Sequence, residues 1–475
     1  MNKLRSTLVL LFALWLCTAH ATRKEVHILS ANDMHAAIEA FPQLADVADS
    51  LRTLYPGLLV FSAGDNRTGD PLNDRYETPA YPMVALMNQV GFDATALGNH
   101  EFDSQGRGLA QLIALSNFSY LCANCHPNDS LGIHLLPCKV FDVEGTKVGV
   151  VGTVQIGTHG IPDTHPDNVR GIAFTPVNET IAQYEWLRQQ CDVVILLSHN
   201  GYEADVESSA LFPWIDLIIG GHTHTQLDGG ELHNGLLITQ NNKRLKKVTH
   251  ITLVLDNGRI VEKKAENIDI EHWSGQNKVV ANLLRFFSDN PAFYRALTQV
   301  EAPFTTYEEL GCMMCDAFMQ ETGSDIGIEN YGGVRFDTHD VGDFTLSDVF
   351  KLDPFNNDAV VMELSGDELC QMLISCYEND GMSFPYVGGI NCEVICHKND
   401  STHIRKVVLT TPDGKKLNMK KTYRVVTNSY VASIADSPRR DQGHSINRKT
   451  ADLIISFLER QPSIDYSGAK RIILH

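Results

Sequence analysis

The sequence predicts an α/β protein of two domains, on three observations. From Val26 onward short apolar runs alternate with longer amphipathic ones, the pattern of strands and helices wrapped into layers. Most of the short runs are continuously apolar, as expected of sheets buried on both faces. The chain has 475 residues, 43% of them hydrophobic and 20% charged. That is enough to bury a substantial core, and at roughly 100–200 residues per domain it fits two large domains better than one.

The first segment is excluded from the fold. Met1 to Arg5 carries two positive charges, Leu8–Leu16 is a short apolar run, and Ala19-His20-Ala21 has the small-x-small pattern of a secretory cleavage site. The run is well short of the roughly 20 residues that a spanning helix needs, so a cleaved signal peptide over residues 1–21 is expected rather than an anchor. Bulky Leu16 stands where a lipoprotein signal ending at Cys17 needs a small residue. Cleavage leaves 454 residues and moves the net charge from −19 to −21. No later stretch is long and apolar enough to span a bilayer, so an exported protein, periplasmic or extracellular, is expected.

After the leader, the runs Val26–Ser30, Leu58–Ser62, Asp93–Leu97, Lys147–Thr153, Val193–Ser198, Leu217–Gly220 and Leu236–Thr239 read as strands. Between them Pro79–Val90, Gly108–Ser116 and Pro176–Gln190 read as helices. Leu245–Asp256, Asn257-Gly258 and Arg259–Lys264 read as a hairpin, because Asn-Gly supplies the positive φ angles of a tight turn. The polar, less periodic stretch from Ile270 to about Glu301 is the expected boundary, and a second α/β unit runs to His475.

Composition restricts the partners. A net charge of −19 repels a nucleic-acid polymer or an anionic membrane at long range, although a small anion can still bind at a focused positive site such as a metal. Ten of the eleven cysteines remain after cleavage, including Cys122-x-x-Cys125 and Cys312-x-x-Cys315. Cys312 lies in a helical, partly apolar run far from Cys125, which argues against a zinc ribbon. Buried free thiols or a few disulfides, foremost among the four in Cys370–Cys396, are expected instead.

The chemistry-bearing residues fall just after the expected strands, where α/β folds place binding sites. The first strand leads into Asn32-Asp33-Met34-His35, the second into Gly64-Asp65-Asn66, and the third into Gly98-Asn99-His100-Glu101-Phe102-Asp103. Later strands end in Ser198-His199-Asn200 and Gly220-Gly221-His222-Thr223-His224. Each run alone is an ordinary turn; five in chain order at successive strand ends are not. At these residues the chain resembles the calcineurin-like metallophosphoesterases, and more closely the secreted or periplasmic 5′-nucleotidases, with motif order D-x-H, GD, GNHEFD, H and GH-x-(H/Q/N). The resemblance covers the full mature length.

The resemblance implies a four-layer α/β/β/α metallophosphoesterase domain over residues 22–270, a linker helix or boundary over 271–301, and a smaller α+β substrate-binding domain over 302–475. It makes Asp33, His35 and His224 ligands of one divalent metal and Asn99, His199 and His222 ligands of another, with Asp65 bridging. Imidazole, amide and carboxylate donors suit zinc, manganese, iron or cobalt, and two ions can clamp a phosphoryl oxygen and hold the attacking hydroxide. It makes His100 and Asp103 a catalytic dyad, with Asp103 orienting His100. An N-cap role for Asp103 is compatible with that.

In the second half Asn330-Tyr331-Gly332-Gly333-Val334-Arg335 resembles the nucleotidases' N-G-G-G-(I/V)-R segment, with Tyr331 replacing a glycine. Leu352–Asn357 resembles L-x-P-F-x-N. Tyr430 and Asp436 match an aromatic residue and an Asp six positions later. These likenesses imply nucleoside contact by Asn330, phosphate contact by Arg335, base stacking by Phe355 and Tyr430, and ribose binding by Asp436. Two departures stand out. Ile434-Ala435 replaces two glycines before Asp436, and the run around Thr306 is acidic where the family carries a further arginine.

The expected activity is hydrolysis of a 5′-nucleotide. A 2′,3′-cyclic phosphodiesterase with 3′-nucleotidase activity and a nucleotide-sugar pyrophosphatase share the same catalytic parts. A non-catalytic nucleotide-binding surface protein is the alternative of a different class.

Overall fold

The computed structural model describes residues 23–157, 159–379, 383–397 and 400–475. The expected signal peptide lies outside the described residues. In what is described, no helix is long and apolar enough to cross a membrane.

Apart from Cys125–Pro127 and Ile172–Phe174, which pair separately, strands up to Asp269 form two six-stranded sheets. The first runs in the order Arg259–Asp269, Lys247–Asp256, Lys24–Ala31, Leu59–Ser62, Ala94–Ala96, Ser119–Leu121. Its last four strands are parallel, and the hairpin pairs antiparallel beside them. Asn257 and Gly258 both have positive φ, 52° and 74°, as the tight turn between these strands requires. The second sheet is ordered Glu231–His233, Leu236–Thr239, Leu217–Ile219, Val193–His199, Thr146–Val154, Cys138–Val143, with a parallel centre.

The continuous apolar runs are explained by the layering. Ile28, Phe61 and Ala96 of one sheet pack against Val150, Ile195, Leu197 and Ile219 of the other. The outer face of the first sheet is covered by helices Phe41–Leu54, Tyr81–Val90, Gln105–Leu115 and Lys278–Ser288, and that of the second by Val177–Ala182, Leu187–Gln190 and Tyr202–Leu211. This is the expected α/β/β/α stack. The expected single helix over Pro176–Gln190 is corrected to two short ones. Ile181 and Leu187 are both buried, yet six residues apart they would stand about 120° apart around a continuous helix, so the turn between them resets the phase.

Strands from Ala296 onward build a mixed five-stranded sheet and two three-stranded ones, covered by helices including Tyr307–Thr322, Leu346–Leu352, Gly366–Asn379 and Thr450–Leu458. They enclose a separate core around Phe318, Phe344, Met362 and Val425. The ten cysteines of the described residues are free; Cys122 and Cys125 pack in one core, Cys312 and Cys315 in the other half of the chain.

Candidate metal centre and cleft

Five loops converge at one end of the stacked sheets. They follow Lys24–Ala31, Leu59–Ser62 and Ala94–Ala96 on one side and Val193–His199 and Leu217–Ile219 on the other. The first two are zipped by backbone bonds: Asp33 N–H donates to the Gly64 carbonyl at 3.0 Å, and His35 and Ala36 donate to Asp65 and Asn66 at 2.9 Å each. The third opens as a 3-10 turn, Asn99–Ser104, in which residues three apart eclipse; His100 and Asp103 therefore share a face.

The seven residues expected as ligands come together. Asp65 Oδ2 lies 3.3 Å from His199 Nε2 and 3.9 Å from His35 Nε2. Asn99 Oδ1 lies 3.3 Å from His199 Nε2 and 3.1 Å from His222 Nδ1. His224 Nε2 is 3.1 Å from His35 Nε2 and 3.5 Å from Asp33 Oδ1. Three sets of donor atoms each fall within 4.8 Å of one another: Asp33, His35 and His224; Asp33, Asp65 and His199; His35, Asp65 and His100. The far nitrogens of two imidazoles are held by carbonyls, His199 Nδ1 at 2.7 Å from Ala63 O and His35 Nδ1 at 3.2 Å from Thr68 O. Each Nε2 is thereby aimed into the cluster, as second-shell acceptors do at metal sites. These residues fit a divalent cation.

Burial alone raises the Asp65 carboxyl, but His199, His100 and His35 beside it outweigh this and hold it well below the ordinary carboxylate range. Burial, then Arg335, keeps His35 and His224 neutral with depressed pKa values, the form in which imidazole donates a lone pair. For His100 burial works downward, and Asp65 and Asp103 together raise it.

His100 Nδ1 lies 2.9 Å from Asp103 Oδ2, which also accepts from Thr68 Oγ1 at 2.7 Å. The other edge of His100 faces the cluster, with Nε2 4.0 Å from Asp65 Oδ2. Glu101, which sequence reasoning passed over, is buried and accepts the backbone N–H groups of Asp65, Asn66 and Gly98. Its signal was its place inside the GNHEFD run.

A solvent-open cleft of about 790 Å³ joins this cluster to the second half of the chain. His35, Asp65, Asn99, His100, Asp103, His222 and His224 line it, and so do Asn330, Arg335, Phe355 and Tyr430. Arg335 Nη2 stands 3.2 Å from both ring nitrogens of His35, and its guanidinium carbon lies 5.4 Å from the centre of the Phe355 ring. Phe355 stacks near His100, with ring centres 5.6 Å apart. Asn330 belongs to a buried network with Asn428 and Glu329.

Asp436 is not among the residues that line the cleft. It is exposed beyond the end of helix Ser429–Ile434, whose first turn carries Tyr430, and Arg439 closes that end by donating to the carbonyls of Ala432 and Ala435. The acidic residues after Thr306 face backbone instead of the cleft. Thr306 caps helix Tyr307–Thr322 in a reciprocal box with Glu309, and Glu308 accepts from the N–H groups of Arg471 and Ile472. Next to Tyr307, Lys243 donates to the phenol oxygen at 2.9 Å; burial, then Arg335, pushes its ammonium down to about 8.

A stack of two sheets with a His/Asp cluster at its strand ends, opening on a cleft shared with the second half of the chain, is the arrangement of a metallophosphoesterase domain with an appended C-terminal domain. Residues 26–226 match the calcineurin-like phosphoesterase family and residues 288–438 match the 5′-nucleotidase C-terminal domain, and the chain belongs to the family that joins the two. It is 26% identical to the protein UshA of Yersinia enterocolitica, over 89% of this chain and 86% of that one. It is 26% identical to the 5′-nucleotidase of Vibrio cholerae, over 86% and 83%. The trifunctional nucleotide phosphoesterase YfkN of Bacillus subtilis is 25% identical over 87% of this chain, which spans only 32% of YfkN's length. Among solved structures, the 5′-nucleotidase precursor of Thermus thermophilus superposes with a TM-score of 0.83 at 22% identity, covering 95% of this chain and 99% of that one. The sulfate thiohydrolase SoxB of the same genus gives 0.76 at 16%, covering 91% and 82%. Likeness at these identities speaks for the fold alone, since one fold hosts several chemistries.

Proposed function

We propose that the protein hydrolyses the phosphate monoester of 5′-nucleotides, releasing nucleoside and inorganic phosphate. The single observation that carries this is the shared cleft: the His/Asp cluster and the His100–Asp103 pair open onto the same space as Arg335, Phe355 and Tyr430. Asp33, His35 and His224 would hold one divalent cation and Asn99, His199 and His222 a second, with Asp65 between them; zinc, manganese, cobalt and iron all suit this donor set. When bound, such ions polarise a phosphoryl oxygen and lower the pKa of water.

The chain's own residues do the rest. Arg335 carries a fixed charge on a planar fork that matches phosphate oxygens. Asp103 fixes His100 through Nδ1, leaving the Nε2 edge to stabilise charge on the phosphoryl group or to donate to the departing oxygen. Phe355 and Tyr430 offer aromatic faces for a base and Asn330 a polar contact for the nucleoside. The division of labour follows the proposed domains, catalysis in 22–270 and recognition in 302–475. Action outside the cytoplasm, after removal of residues 1–21, belongs to the same reading.

The test is phosphate release from AMP, 3′-AMP, 2′,3′-cyclic AMP and UDP-glucose, side by side with each metal. AMP as the preferred substrate supports the proposal. Preference for a cyclic nucleotide or a nucleotide sugar moves the assignment to that reaction. Nucleotide binding without turnover in metal-replete protein makes the chain a binding protein.

A further inference from the structure

The connection between strands Thr146–Val154 and Val193–His199 passes the site at Asp163–Asn168, a segment nothing in the sequence marks as functional. It touches three of the expected site residues. The Asp163 carbonyl accepts from Asn99 Nδ2 at 3.0 Å, which turns Oδ1 of that amide toward His199 and His222. Asp163 Oδ2 lies 3.5 Å from His222 Nε2. Thr164 Oγ1 and Asn168 Nδ2 each stand 3.4 Å from Asp103 Oδ1, and Asn168 also donates to Thr164 Oγ1 at 2.9 Å.

We propose that Thr164 and Asn168 are positioning residues for the reaction, acting through Asp103 on His100; the inference rests on the phosphoesterase reading of the cleft. Asp103 divides its two oxygens. Oδ2 takes His100 Nδ1 and the Thr68 hydroxyl, and among the described residues Oδ1 takes the two donors of this segment. A carboxylate turns easily about its last torsion, whose preference is broad and two-fold. Donors on Oδ1 fix the carboxylate plane, and the plane fixes the direction in which Oδ2 meets the imidazole. With Oδ1 released, Asp103 rotates, the bond to His100 Nδ1 loses its alignment, and the reacting edge of the ring moves. Hydrogen-bond strength falls steeply with misalignment, and a displaced catalytic group costs rate even when substrate still binds. Thr164 is buried and Asn168 half-buried, and both border the cleft, so direct contact with substrate is the competing role.

The experiment separates these roles with Thr164→Val, Thr164→Ser and Asn168→Leu in the full chain. Metal content per chain, kcat and KM are measured with AMP and with 4-nitrophenyl phosphate. Positioning predicts that Thr164→Val and Asn168→Leu each lower kcat roughly 10-fold on both esters, with KM within about two-fold and metal content as in the parent. Thr164→Ser restores the hydroxyl and should keep kcat within about two-fold of the parent. The proposal is overturned if kcat is retained in Val and Leu variants, if KM alone rises, or if Ser loses as much as Val. Should Asn168→Leu fail to fold, the Val and Ser pair at Thr164 decides. A parent active on 4-nitrophenyl phosphate and inert toward every nucleotide sinks the nucleotidase reading while leaving this comparison intact.

Discussion

Replacing Glu101 by Gln tests whether one buried carboxylate holds the centre together. Glu101 Oε2 accepts from Asp65 N at 2.9 Å and Gly98 N at 2.6 Å, and Oε1 from Asn66 N at 2.9 Å. It thus ties the loop bearing Asp65 to the loop bearing His100. Gln keeps the volume and replaces one oxygen by an NH2 group. The better orientation keeps its oxygen on Asp65 and Gly98 and faces the amide nitrogen to Asn66 N–H, leaving that buried N–H without its acceptor and the new amide donor facing it. That lost charge-assisted bond costs about 1.5–3 kcal/mol, and the two that survive become neutral and weaker. The offset is that burial, then Asp65, raises the pKa of Glu101, so the ionised carboxylate already carries a penalty that Gln removes. A net loss of roughly 2 kcal/mol remains, or a Tm lower by about 4–8 °C for a unit of this size. Scanning calorimetry on metal-stripped protein is the assay, because bound ions add stability of their own. Turnover should also fall, since His100 N donates to Asp65 Oδ1 at 2.9 Å and the two loops move together. A Tm within about 1 °C of the parent together with unchanged kcat would refute the reasoning.

Three further outcomes follow from the same geometry. A Cβ on Gly98 would overlap Asp65 Oδ1 and stand 2.5 Å from Asp65 N, so Gly98→Ala should displace Asp65 and cut kcat by roughly 100-fold, checked by kinetics and metal content. His100→Ala should reduce turnover by about 10²–10⁴-fold with metal content intact; loss of metal along with activity would make His100 a ligand instead. Asp205 is fully buried, with Oδ1 accepting from Ser198 Oγ at 2.5 Å, and burial pushes its carboxyl up to about 8. The folded state therefore keeps a proton that the unfolded chain releases near pH 4, so stability is full below that and falls as pH rises to about 8, by at most about 1.4 kcal/mol per unit. Asp205→Asn should flatten that part of the Tm–pH curve, and equal slopes for parent and variant would count against it.

Much of the first half was legible because two independent signals coincide there. Apolar runs such as Val193–Ser198 mark strands sandwiched between layers, and the polar residues that follow them mark where the layers end. Helix Phe41–Leu54 carries a weak start signal: a short 3-10 turn, Ile38–Ala40, runs straight into Phe41-Pro42, and the residue before the helix, Ala40, makes no side-chain cap. The segment Asp163–Asn168 was invisible for a different reason. Its contacts are made by a backbone carbonyl and by common polar side chains, and only tertiary proximity gives them a role. Asp436 shows the converse, a spacing match that lacks the two preceding glycines and is exposed, outside the residues that line the cleft.

Backbone strain explains why local propensity says nothing about the ligand loops. Asp33, His35, Asp65, His222 and His224 have φ of 48°, 43°, 52°, 80° and 55°, in the left-handed region that costs a residue with a Cβ about 1–2 kcal/mol. Five such residues would be improbable in free loops. Here each turn is overdetermined by bonds to its neighbours: Asp33 and His35 donate across to Gly64 and Asp65, Arg244 N donates to Asp33 O at 2.8 Å, and His222 N donates to the Asp33 carboxylate at 3.1 Å. Gly64 and Gly221 allow the close approach, since a Cβ at either would stand 2.9 Å from His199 Nδ1. A left-handed residue reverses the chain within one step, so expected ligands two apart, Asp33 and His35 or His222 and His224, can both turn inward from a loop too short for a helix. The strain is thus the physical form of the D-x-H and GH-x-H spacings, and it is tolerable only where two sheets and a shared carboxylate hold the loops from both sides.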